Sequence, residues 1–93
     1  MIYAVDIDGT LCVESEKWWE YHKAIPNKKA IAKINVLFGQ DHRIIIYTAR
    51  PECDREVTTM WLDEHKVRYH KLVMGKIRAD VYVDNAAKRI DEI

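Results

Sequence analysis

Two kinds of segment alternate along this chain, and their alternation limits the folds that it can adopt. Short apolar runs cover residues 1–6, 43–48 and 79–84, and each of them ends in an acidic or hydroxyl residue. These runs contain β-branched residues and are too short for helices, so they predict strands. Between the runs, apolar residues recur at helical spacing across residues 30–38 and 52–65, which predicts two helices.

The alternation predicts an α/β fold, a minimal Rossmann-like parallel sheet flanked by helices with right-handed crossovers. Residues 67–73 could add a short edge strand, and residues 86–93 a short helix. The chain is too short for two cores, so residues 1–93 are expected to form one domain. Because such a small core only just offsets the entropy of ordering the chain, oligomerisation is an expected source of further stability.

Charge and hydropathy exclude several classes of function. The 15 basic and 15 acidic residues cancel, so nothing in the net charge favours nucleic acid or an anionic membrane as partner. No apolar run reaches the length of a membrane-spanning helix, and acids interrupt the N-terminal apolar stretch, unlike a secretion signal. The expected location is the cytoplasm. The four histidines are scattered and do not have the spacing of a zinc site.

In a parallel sheet, ligands bind beyond the carboxyl ends of the strands, so the residues at those ends are the candidate site. Carboxylates that converge there would repel one another unless a cation compensates, and Mg²⁺ prefers oxygen ligands of this kind. We call the edge of the sheet at the carboxyl ends of the strands the rim. The three predicted strands place seven residues there: Asp6, Asp8, Thr48, Ala49, Arg50, Asp84 and Asn85.

Phosphoryl transfer is the chemistry that suits this set. Asp6 and Asp84 could bind Mg²⁺ through their side chains and Asp8 through its backbone carbonyl. An aspartate beside the metal could attack phosphorus and form an aspartyl-phosphate that water then cleaves. Asp8 could protonate the leaving oxygen and later deprotonate the water. Thr48 could hold the phosphoryl oxygens, and a lysine, Lys76 or Lys71, could neutralise their charge.

Four segments resemble motifs of the haloacid dehalogenase-like (HAD) superfamily phosphatases. Residues 6–10 match the DxDGT motif, and residues 47–50 (YTAR) look like the second motif, a strand that ends in Thr or Ser. Gly75-Lys76 resembles the GKPxAD context of small capless members, although Ile77 replaces the proline. Val83-Asp84-Asn85 stands where such members carry two adjacent acids, so one acid is missing.

The resemblance implies a Mg²⁺-dependent phosphomonoester hydrolase with an aspartyl-phosphate intermediate. Asp6 would be the nucleophile and a metal ligand, and Asp8 the general acid and base. Thr48 would hold the phosphoryl group together with Ala49 and Arg50, Lys76 would stabilise nucleophile and phosphate, and Asp84 would complete the metal site. Small capless members of this type are associated with surface-polysaccharide pathways, which makes a phosphorylated sugar or related metabolite the expected substrate.

Several alternatives remain open on the sequence. A polynucleotide 3′-phosphatase shares the DxDGT motif, but the neutral charge and the lack of a basic stripe argue against it. A phospho-acceptor receiver domain also combines acids, Thr and Lys, and a degenerate HAD domain could bind a phosphate ligand or a partner protein without turnover. Arg50 could touch substrate or bind a nearby carboxylate. Asp84 could instead cap a helix before Ala86.

The proposed chemistry does not explain the aromatic residues Trp18, Trp19 and Tyr21. They could pack beneath their loop, or they could contact a second subunit. The segments between Asp8 and Pro26 and between Thr48 and Lys76 are too short to hold an inserted cap domain. A homo-oligomer in which this aromatic segment contacts a neighbouring subunit that covers the site is therefore the alternative to packing beneath the loop.

Overall fold

A computed structural model describes residues 1–13 and 23–93 of the chain. Within these residues, three parallel strands form one sheet in the order β1–β2–β3. Helix α1 connects the first two strands and α2 the last two, which gives the predicted Rossmann-like α/β core. The elements are β1 (Ile2–Val5), α1 (Lys28–Gly39), β2 (Arg43–Tyr47), α2 (Arg55–Glu64) and β3 (Lys71–Val73).

The central strand β2 organises the core. Ile44 and Ile46 alternate with partly or fully exposed neighbours and are completely buried, as expected for a strand with one face against a hydrophobic layer. Ile34 of α1 and Leu62 of α2 are also completely buried. Helix α1 begins where the side chain of Asn27 accepts the backbone N–H of Ala30 at 3.1 Å, a favourable N-cap.

The strand predicted at residues 79–84 is not present, and the prediction is wrong for this structure. The third strand is β3, in the segment that had no decisive pattern. Val81 and Val83 are 74% and 94% exposed, and the Tyr82 hydroxyl donates to the backbone oxygen of Ile77 within a local turn. β-Propensity predicts a strand only where another strand supplies hydrogen bonds and a packing surface, and this segment has neither.

Three further predictions concern the C-terminal segment, the aromatic residues and the absence of a membrane-spanning helix. The helix suggested for residues 86–93 is reduced to a 3₁₀ turn at Ile90–Glu92. Trp18, Trp19 and Tyr21 lie outside the described residues, so the predicted subunit contact stays a prediction. Within residues 1–13 and 23–93, neither helix is long and apolar enough to cross a membrane.

Candidate active site

Backbone hydrogen bonds tie together the segments that follow β2 and β3, and β1 ends beside them because it pairs in parallel with β2. The N–H of Thr48 donates to the oxygen of Val73 at 3.0 Å, and the N–H of Lys76 donates to the oxygen of Thr48 at 2.9 Å. Gly75 donates to the oxygen of Arg50 at 2.9 Å and has a φ of +80°, a conformation that costs glycine nothing. This turn directs Lys76 back to the end of β1.

Asp6 follows β1 and faces Lys76. The Lys76 Nζ lies 3.8 Å from Asp6 Oδ2, and the two side chains are 17% and 35% exposed. The Asp6 carboxylate also accepts the N–H of Ile7 at 2.8 Å. Burial raises the pKa of Asp6 above its ordinary value, although the Ile7 hydrogen bond and Lys76 oppose this shift. The structure thus brings together the predicted nucleophile and the predicted lysine.

Asp8 is held by Arg50. The Arg50 Nε donates to Asp8 Oδ2 at 2.9 Å, and Nη2 donates to Oδ1 at 2.8 Å. The Arg50 side chain is completely buried, whereas that of Asp8 is 20% exposed. Of the two roles considered for Arg50, the structure therefore favours the carboxylate-binding one, because a side chain without exposed surface is not placed to touch substrate.

Thr48 and Ala49 lie directly after β2, as predicted, but they differ in accessibility. Thr48 is completely buried, and its Oγ1 accepts the backbone N–H of Arg50 at 3.2 Å. Its hydroxyl group could still donate a proton to a further acceptor, but that acceptor would have to lie within the protein, because Thr48 has no exposed surface. Ala49 is half-buried. Thr48 organises the turn after β2 in this structure, and its contact with a phosphoryl group stays a prediction.

Asp84 does not join the other acids. It lies in the exposed segment after β3, and its Oδ1 accepts the N–H of Ala86 at 2.9 Å. This contact belongs to a local turn, and no helix begins at Ala86, so Asp84 is not the helix cap that the sequence left open. Within residues 1–13 and 23–93, no group of three Asp, Glu, His or Cys side chains is arranged to hold a metal ion. The predicted three-acid metal set is therefore not assembled, because residues 79–84 do not lie alongside β1.

Two contacts of this rim had no counterpart in the sequence analysis. Thr58 of α2 is completely buried and accepts Nη1 of Arg50 at 3.1 Å. Its place on the buried face of α2, three and four residues before Trp61 and Leu62, is the pattern that could have identified it. Lys76 Nζ also lies 4.1 Å from the ring centre of Tyr82, a cation–π distance.

Cys12 is not a second nucleophile. Its thiol is buried beneath the rim and lies 3.6 Å from Asp8 Oδ1. Burial, with a smaller contribution from the Asp8 charge, raises the pKa of Cys12 to about 12. The protonated thiol is therefore favoured at neutral pH, which makes Cys12 a poor nucleophile.

Solved structures share this fold. A structural-genomics target from Vibrio cholerae is 25% identical, with a TM-score of 0.83 over 98% of this chain and 85% of its own. Two structures of the Pnkp1/Rnl/Hen1 complex, one described as an RNA repair complex, are 21% and 19% identical, with TM-scores of 0.71 and 0.70. They cover 85% and 98% of this chain, which spans only 30% and 28% of theirs.

No protein-family model matches the chain, and no curated protein matches it at a significant level. The structural likenesses therefore establish the Rossmann-like α/β fold, and a shared fold does not by itself determine the chemistry of the site.

Proposed function

We propose that the chain is a phosphomonoester phosphatase that acts through an aspartyl-phosphate on Asp6. The observation that carries the proposal is the meeting of Asp6, Lys76 and the Arg50-bound Asp8 at the carboxyl ends of β1 and β2. A carboxylate, an ammonium group and a second, partly exposed carboxylate are the groups that such a reaction needs. The HAD-like motifs at the same positions support this interpretation.

The chain's own residues account for the proton and the electron pair in each step. An Asp6 oxygen attacks phosphorus, and the bond from phosphorus to the leaving oxygen breaks as Asp8, in its acid form, donates a proton to that oxygen. Water then attacks the phosphoryl group while Asp8 accepts its proton, which regenerates the Asp6 carboxylate and releases phosphate. Lys76 offsets the negative charge of the phosphoryl group throughout.

We propose that the reaction requires Mg²⁺, because a divalent cation would offset the negative charge of the phosphoryl group. When bound, it would neutralise phosphoryl charge. Asp6 and the backbone carbonyl of Asp8 are the oxygen ligands expected at this rim, and Asp84 is not with them in this structure.

A phosphorylated sugar or related metabolite is the proposed substrate. A 3′-phosphorylated polynucleotide is the second candidate, and the likeness to chains of an RNA repair complex favours it. A domain that binds phosphate without turnover is the third, and the separation of Asp84 from the rim favours that reading.

Hydrolysis of p-nitrophenyl phosphate with and without Mg²⁺ tests the proposal. Asp6→Asn should lower the rate on the order of a thousandfold or more, because it removes the nucleophile. Asp63→Asn, an exposed acid on α2, is the matched control and should leave the rate unchanged. Activity that survives Asp6→Asn would refute the aspartyl-phosphate mechanism, and activity without Mg²⁺ would refute the metal requirement.

The substrate is identified by comparing sugar phosphates with a 3′-phosphorylated oligonucleotide at equal concentration. Preference for the oligonucleotide would replace the metabolite proposal by its alternative. Phosphate binding without release of product from any substrate would support the domain without turnover.

Light scattering tests the proposed homo-oligomer, and a monomer at micromolar concentration would exclude a neighbouring subunit as the lid.

A further inference from the structure

We propose that Arg50 is a positioning residue, which holds the Asp8 carboxylate in the orientation that proton transfer requires. The proposal rests on the proposed function, because it concerns the residue that would move the proton. Arg50 itself has no exposed surface, so it acts through Asp8 and not on the substrate.

The contact fixes the orientation of Asp8 and not only its charge. Two N–H groups of one planar guanidinium meet the two carboxylate oxygens, at 2.9 Å and 2.8 Å. Such a two-point contact prevents the carboxylate from rotating, whereas a single ammonium group would leave that rotation free. The plane of the Asp8 carboxylate is thus set by the plane of the guanidinium.

Contacts with several described segments anchor Arg50 in turn. Its Nη1 donates to Thr58 of α2 at 3.1 Å, and its backbone N–H donates to Thr48 Oγ1 at 3.2 Å. Its carbonyl accepts the N–H of Gly75, the residue before Lys76. The same arginine therefore links α2, the end of β2 and the lysine-bearing turn to the carboxylate of Asp8.

Steady-state kinetics of Arg50→Lys tests the inference, because lysine keeps the charge and loses the two-point contact. We expect kcat to fall about 10- to 100-fold with KM unchanged, a loss of the size that small misplacements cause. Arg55→Lys is the matched control: Arg55 also pairs with a carboxylate through two nitrogens, but at the surface, and kcat should not change.

Thr58→Val is a gentler variant that removes one anchor of Arg50 and keeps the side-chain shape. It should lower kcat by a few-fold with KM unchanged, and circular dichroism verifies that each variant is folded. In an Asp8→Asn background, Arg50→Lys should lower kcat no further, because there is no longer a carboxylate to orient. A merely structural role would predict the same loss in both backgrounds.

The outcomes separate this inference from the function on which it rests. Wild-type kcat in Arg50→Lys, or an equal loss in the Asp8→Asn background, would overturn the positioning role while hydrolysis by the wild type still upheld the phosphatase. A wild-type protein that hydrolyses no phosphomonoester would overturn both.

Discussion

Removal of either partner of the Arg50–Asp8 ion pair is expected to destabilise the fold, and the two removals should differ in cost. Arg50 cannot lose its proton and has no exposed surface, whereas a fifth of the Asp8 side chain is in contact with water. Removal of one partner from a buried pair costs about 3–5 kcal/mol, because the other charge is left without compensation. Asp8→Ala should lie near the upper end of this range and Arg50→Met near the lower end, since water can hydrate the remaining carboxylate.

Urea unfolding of the two single variants and the double variant measures this effect. A loss of 3 kcal/mol would lower the midpoint by about 1–3 M, since domains of this size lose about 1–3 kcal/mol of stability per molar urea. The double variant removes both charges, so its cost should be smaller than the sum of the single costs, with a coupling of up to about 3 kcal/mol.

The result that would refute this reasoning is additivity. If the single costs add to within about 0.5 kcal/mol in the double variant, the two side chains are not energetically coupled, despite their two short hydrogen bonds. Glu52→Gln provides the surface comparison: its pair with Arg55 is exposed, so the midpoint should hardly change.

Three further predictions concern single residues. Burial raises the folded-state pKa of Asp6, so the stability that its protonated form contributes is present below about pH 3.8 and is lost as the pH rises through the folded pKa. Asp6→Asn should therefore be more stable than the wild type at pH 7 in EDTA, with a difference that shrinks towards pH 3.8; an equal difference at both pH values in urea titrations would contradict this. Trp61→Phe leaves the backbone oxygen of Ala24 without its 2.9 Å indole hydrogen bond and should cost about 1–3 kcal/mol in thermal unfolding; an unchanged Tm would argue against that bond. Val83→Thr should change stability by less than about 0.5 kcal/mol, because Val83 is 94% exposed; a larger loss would mean that residues 79–84 pack against the sheet.

The alternating periods of the sequence determined the α/β architecture, both helices and the first two strands. The periodicity of apolar residues predicts these elements correctly, because each helix or strand buries one face and its apolar residues therefore recur at regular intervals. The position of Asp6 at the end of a predicted strand placed it at the candidate site, because parallel strands end at one edge of the sheet. The role of Lys76 beside Asp6 came from the motif resemblance, and the structure brings the two side chains to 3.8 Å.

Only the tertiary structure decided which neighbours these residues have. The run at residues 79–84 has the composition of a strand, but pairing is a long-range property, and β3 forms the third strand at Lys71–Val73 instead. The choice between substrate and carboxylate as partner of Arg50 depended in the same way on a contact across 42 residues of sequence and on the burial of the guanidinium. Local sequence sets which groups are candidates for the rim, whereas packing decides which of them reach it and which of them meet, because burial, strand pairing and charge pairing depend on residues that are distant along the chain.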